Sequence, residues 1–155
     1  MRSTTGALAL TLVGLAALPA TAQNVKETLD MTRQAIESQR RILVAGALPL
    51  TEAEEKAFWP LYDDYEKARG AIDERTNRLV ADFVGTAAGL SDKQAKAMLA
   101  EALDVDDRRL ELRREFMGRM AKAIPPRKLV RFFQIENKLD AEVRADISRQ
   151  IPLAP

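Results

Sequence analysis

From residue 25 onward, apolar residues recur at helical spacing, and three short breaks divide them into four stretches. No stretch sustains the alternation of a half-buried strand. This pattern predicts an all-α fold of four helices, built around a long bent antiparallel hairpin and completed by dimerisation. The first stretch runs from about Val25 to Val44, with Leu29, Ile36 and Leu43 on one face. The break at Gly46-Ala47-Leu48-Pro49 follows.

Thr51 to Glu54 then reads T-x-x-E, a capping box in which the Thr hydroxyl and the Glu carboxylate each satisfy a free backbone N–H. The second helix should reach Val84, with Phe58, Leu61, Tyr62, Tyr65, Ile72, Leu79 and Phe83 on one face. Pro60 lies inside it and removes a donor, so a kink or a split-off first piece is expected. Gly85 to Gly89 forms the second break. Ser91 to Gln94 is another capping box, S-x-x-Q. The third helix should run to about Ala123 with Met98, Leu99, Ala102, Leu103, Leu110, Phe116, Met117 and Met120 on its apolar face. Pro125 and Pro126 open the fourth, which carries Leu129, Phe132, Phe133, Leu139, Val143 and Ile147 and ends before Pro152.

The N-terminus reads as an export signal. Arg2 is followed by Ala7–Leu18, free of charge, and by small residues at Ala20 and Ala22. The apolar run is short for a membrane span of about 20 residues. Cleavage after Ala22 is expected, leaving a single helical domain over residues 23–155 in the periplasm.

Composition narrows the chemistry. The 155 residues include no Cys and no His. That removes disulfides, thiolate nucleophiles, Ser-His-Asp catalysis and the commonest metal ligand. No calcium-type Asp/Gly loop is visible. The expectation is a protein with no catalytic centre, no cofactor and no metal. The formal charge of +1, from 24 basic and 23 acidic residues, argues against a nucleic-acid partner.

Charge is nevertheless uneven. Arg108 to Arg131 holds nine Lys/Arg against two Glu, a balance of +7, whereas Glu52 to Glu66 holds six acids and one Lys, a balance of −5. Asp104–Arg108, Glu111–Arg114 and Glu115–Arg119 have helical pairing distance, which leaves most of the Arg without a nearby partner. Two alternatives stand: a solvated face, or a positive surface for acidic partners, unfolded chains or, weakly, anionic lipid headgroups. Trp59, set off the Phe58/Tyr62/Tyr65 stripe, is either a packed corner or an exposed anchor for apolar segments. Met98, Met117 and Met120 are either core or an adaptable contact surface. Candidate partner-binding residues are therefore Trp59, Arg109, Arg113, Phe116, Met117 and Met120.

Leu50-Thr51-Glu52-Ala53-Glu54 resembles the L-T-x-x-Q motif of the Spy/CpxP family of bacterial periplasmic proteins, with Glu54 in place of Gln. Ile124-Pro125-Pro126-Arg127-Lys128 stands where that family has its second copy, keeping the apolar residue and the Pro. The motif positions are thus Leu50, Thr51, Glu54, Ile124 and Pro126. The resemblance implies a cradle-shaped homodimer that acts as an ATP-independent chaperone in the envelope stress response. Its partners would be unfolded or partly folded envelope proteins. The alternative it implies is a regulatory adaptor that restrains a sensor kinase through its periplasmic domain. Relatives that bind transition metals do so through His-containing sites, and His is missing here.

Overall fold

The computed structural model describes residues 27, 31, 35 and 38–154. The export signal and the Leu29 and Ile36 positions lie outside the described residues. The described chain is all-helical. Residues 38–47 belong to helix α1, followed by α2 (Glu52–Thr86), a 3₁₀ turn (Ala87–Gly89), α3 (Asp92–Met120) and α4 (Pro126–Gln150). No strand occurs among the described residues.

Local chemistry sets the helix ends. Thr51 caps α2, and the reciprocal bond from Thr51 N–H to the Glu54 carboxylate, 2.7 Å, completes the capping box. Ser91 and Gln94 repeat the device at α3. Pro126 sits in the first turn of α4, where its missing N–H costs nothing. The third helix stops at Met120, earlier than expected. Ala121 to Ala123 form a turn instead, with Ala123 and Ile124 N–H donating to the Met120 carbonyl at 2.9 and 3.0 Å.

Pro60 does not split α2, which is continuous over 35 residues, about 52 Å at 1.5 Å per residue. Pro60 and Lys56 are both exposed. The Lys56 carbonyl that loses its donor therefore lies on the wet side, where the loss is mildest.

Pairing fixes the directions. Arg119 meets Asp64, Arg109 meets Asp73, and Arg75 meets Glu101 and Asp104, so α2 and α3 form a long antiparallel hairpin. Arg40 and Arg41 of α1 reach Glu66 and Asp63, so α1 runs antiparallel to α2. Arg131 donates to the Ala47 carbonyl while Arg40 meets Glu136 and Asp140, so α1 is also antiparallel to α4. Glu54 meets Lys128, and Phe58 and Tyr62 meet Phe132, so α2 and α4 run parallel.

The core gathers at one end of the bundle. Val44, Leu48, Phe58, Tyr62, Tyr65, Phe116, Met120, Ile124 and Phe132 are buried there together. Phe132 is its centre: its ring stands within 5.2 to 6.3 Å of the Phe58, Tyr62 and Tyr65 rings, edge-on to each. The buried positions are Arg40 and Val44 on α1 and Leu48 just past its end, four residues apart, while Leu43 is half exposed. The expected Leu43 stripe is thus rotated away from the core. Its place is taken by a face that includes an arginine, which hydrophobic periodicity cannot register.

Candidate functional site

A layer of buried charge closes the aromatic core on the side away from the helix breaks. Arg40, fully buried, donates from Nη2 to Glu136 at 2.9 Å and to Asp140 at 2.6 Å, and its Nε lies 3.7 Å from Glu66. Asp140 also accepts from Arg113. Glu66 accepts from Arg69, Arg69 donates to Asp73 at 2.5 Å, and Asp73 accepts from Arg109 at 3.3 Å. Four arginines (40, 69, 109, 113) and four part- or fully buried carboxylates (66, 73, 136, 140) thus form one connected chain, which exposed Asp106 extends from Arg109.

Burial alone would raise the Asp140 carboxyl. The charge of Arg40, its hydrogen bond and the charge of Arg113 outweigh that and hold it below the usual range. Burial pushes the Glu136 carboxyl above its ordinary value against the opposing pull of Arg40. Burial likewise pushes the Tyr62 and Tyr65 phenols up, so both stay neutral. Among the described residues, two buried polar atoms have no hydrogen-bond partner: Nη1 of Arg40 and Oη of Tyr62.

This layer decides where several expected binding residues sit. Arg109 and Arg113 are four-fifths buried and point into the ion chain. Phe116 is buried against Tyr65, with the Arg119 guanidinium 4.4 Å from its ring centre. Met120 is fully buried and Met117 half-buried beside it. Trp59 is half-buried, edge-on to Phe58 and Tyr62, and covered by Arg41 at 4.4 Å. Trp59, Phe116, Met117 and Met120 thus lie at the packed end of the bundle, and Arg109 and Arg113 in the ion chain beyond it.

Much of the basic run is paired as well, mostly across helices. Asp104 goes to Arg75 and not to Arg108, Arg108 takes Glu111, and Arg119 bridges Asp64 and Glu115.

The two motif segments meet. Glu54 holds the Thr51 N–H and receives Lys128 Nζ at 2.5 Å. The Lys128 hydrogen bond, aided by the Thr51 N–H, holds the Glu54 carboxyl below its ordinary value. Leu50 packs against the core cluster of which buried Ile124 is a member, and exposed Pro126 starts α4. The motif positions thus tie the N-termini of α2 and α4 together. Among the described residues, no group of three or more His, Cys, Asp or Glu is placed to hold a metal ion. No helix among them is long and apolar enough to cross a membrane.

The open apolar surface lies elsewhere. On α3, Leu99, Leu103 and Leu110 are 63, 58 and 47% exposed. At about 100° per residue they fall within about 40° of one another. They were expected on the buried face. α2 is the neighbour along this arm, and its contact is made through Val105, Arg109 and the Glu101 and Asp104 carboxylates on the other side of the helix. The 4- and 7-residue spacing was visible in the sequence, but which side of the helix would be covered was not. A second opening, a groove of about 470 Å³ between α1 and α4, has Leu43, Ala47, Ile135 and Leu139 as its floor and Arg131 and Lys138 on its rim.

Compared with known proteins, the chain matches no family model, no curated protein and no solved structure.

Proposed function

We propose that this chain is an exported periplasmic protein that holds unfolded or partly folded envelope proteins without ATP, and that it is a binding protein and not an enzyme. The observation that carries this reading is the Leu99/Leu103/Leu110 stripe. Three large apolar side chains stand in one row on a long helix arm, where isolated exposed leucines would mean nothing. An open row of leucines offers apolar surface to any chain that exposes its own, which is the chemistry non-native proteins share. The Spy/CpxP-like motif segments and the signal-like N-terminus support the same reading. A homodimer is part of it, since an exposed apolar row on a small bundle favours pairing.

The test is aggregation of a thermally unfolding client with and without the purified chain, in the absence of ATP. Suppression at a few-fold molar excess is expected. No suppression at any excess sinks the chaperone reading.

A regulatory adaptor that restrains one envelope partner, such as a sensor kinase, is the second reading. The rimmed groove between α1 and α4 favours it, because a defined cleft with placed charges suits one ligand better than many. Capture of a single stoichiometric partner from envelope extract favours the adaptor; a broad set of clients favours the chaperone.

A further inference from the structure

The groove between α1 and α4 differs in charge from its counterpart on the other side of α1. That second cleft, about 460 Å³, is bordered by Arg41 and Lys67 but also by Asp63, Glu66 and Glu74, and Arg41 is paired with Asp63. Its three carboxylates are each paired within the chain, Asp63 with Arg41, Glu66 with Arg69 and Glu74 with Arg78, and Lys67 stands among them. The α1–α4 groove is bordered by no carboxylate among the described residues. Lys138 makes no ion pair among them, and Arg131 spends only its Nε, on the Ala47 carbonyl. The floor is apolar and open to solvent, with Leu43 47% exposed.

The geometry limits the occupant. Leu43 and Ala47 lie one turn apart on α1, as do Ile135 and Leu139 on α4. They make two ridges with a furrow between them, the shape that accepts the side-chain row of a third helix. Arg131 and Lys138 stand two turns apart on α4, about 10 Å along the axis. From these features we infer that the groove docks an amphipathic helix of a partner protein. That helix presents an apolar row with carboxylates two turns apart, one meeting Arg131 and the other Lys138. The charge complement comes from the partner because no described residue supplies one at the groove. The inference rests on the adaptor reading and names the segment the adaptor would recognise.

The experiment uses two labelled helical peptides with the same leucine row, one flanked by Glu at i and i+7 and one by Lys, titrated with the whole chain and followed by fluorescence anisotropy. The Glu peptide is expected to bind at least about tenfold more tightly, with affinity falling as salt rises. Lys138→Glu is expected to remove that preference. Leu43→Gln is expected to weaken the Glu peptide about tenfold, the effect of losing one buried apolar contact. Both residues are exposed, so circular dichroism and thermal midpoint should be unchanged. Equal binding of the two peptides overturns the inference, as does unaltered binding by the folded variants. Binding of phosphatidylglycerol vesicles with no binding of the Glu peptide overturns it too, and assigns the rim to a membrane surface. If both variants still capture the same single envelope partner as the parent, the groove is wrong and the adaptor reading stands.

Discussion

Arg40 and Glu136, 96 positions apart, form a buried two-sided ion pair: Nε faces both carboxylate oxygens at 3.3 Å, and Nη2 donates to Oε2 at 2.9 Å. The pair locks α1 to α4. Together with Asp140 it continues into Arg113, and through Glu66 into Arg69, Asp73 and Arg109. Removing one member of a buried pair leaves the other charged and unsolvated, which costs about 3–5 kcal/mol. Arg40→Met should lower unfolding free energy by roughly that amount. Arg40→Met with Glu136→Leu should recover a substantial part. Urea denaturation of the four members of the cycle reads both. Equal and additive losses would mean that the pair is not coupled.

The ion layer should make stability depend on acid. The Asp140 carboxyl is held low in the folded state, so its contribution is present above the unfolded value, about 3.9, and is lost as pH falls through the folded value below that. Glu136 has the opposite sign. Its raised carboxyl favours folding below the unfolded value of about 4.3, a contribution lost as pH rises through its folded value. Urea midpoints measured across this range should show a shallower acid decline in Asp140→Asn than in the parent. In Glu136→Gln the decline above about pH 4.3 should disappear. Unchanged profiles in both variants contradict the assignment.

Tyr62 is buried with no partner for its hydroxyl among the described residues, whereas its ring packs on Phe58, Trp59 and Phe132. Deleting an unsatisfied hydroxyl relieves a desolvation cost of about 1–3 kcal/mol. Tyr62→Phe should therefore leave stability unchanged or raise it by up to about 1 kcal/mol. A loss above that size would show that the hydroxyl is bonded. Phe132→Ala, by contrast, should cost about 3–5 kcal/mol, because its cavity opens at the centre of the aromatic cluster.

The two helix caps are independent tests of local chemistry. Thr51→Ala and Ser91→Ala should each cost about 1 kcal/mol, read from thermal or urea unfolding. Thr51 should cost more than Ser91. Its box also orients Glu54 for Lys128, which joins α2 to α4, while among the described residues the Ser91 and Gln94 side chains bond only within their own box.

The helices were legible because their starts carry side-chain signals: Thr51 with Glu54, Ser91 with Gln94, Pro126 after Pro125. Phe58, Tyr62 and Tyr65 were legible as core because they are apolar and share a face. Arg40 and Glu136 were not, since their burial declares itself only through partners on other helices. The same blindness put Arg109 and Arg113 on a surface: Asp73 and Asp140, which hold them, lie 36 and 27 positions away. Leu99, Leu103 and Leu110 failed in the opposite sense. Their period is that of a buried face, and it takes the position of α2 to show that this face is open.

That open face is the centre of the functional account. The most direct measurement is ATP-independent suppression of client aggregation by the parent and by the triple variant Leu99→Ser, Leu103→Ser, Leu110→Ser, each checked for unaltered helicity and unfolding midpoint. The parent should suppress aggregation, and the folded triple variant should lose most of that activity. Full activity in the folded triple variant would contradict the account.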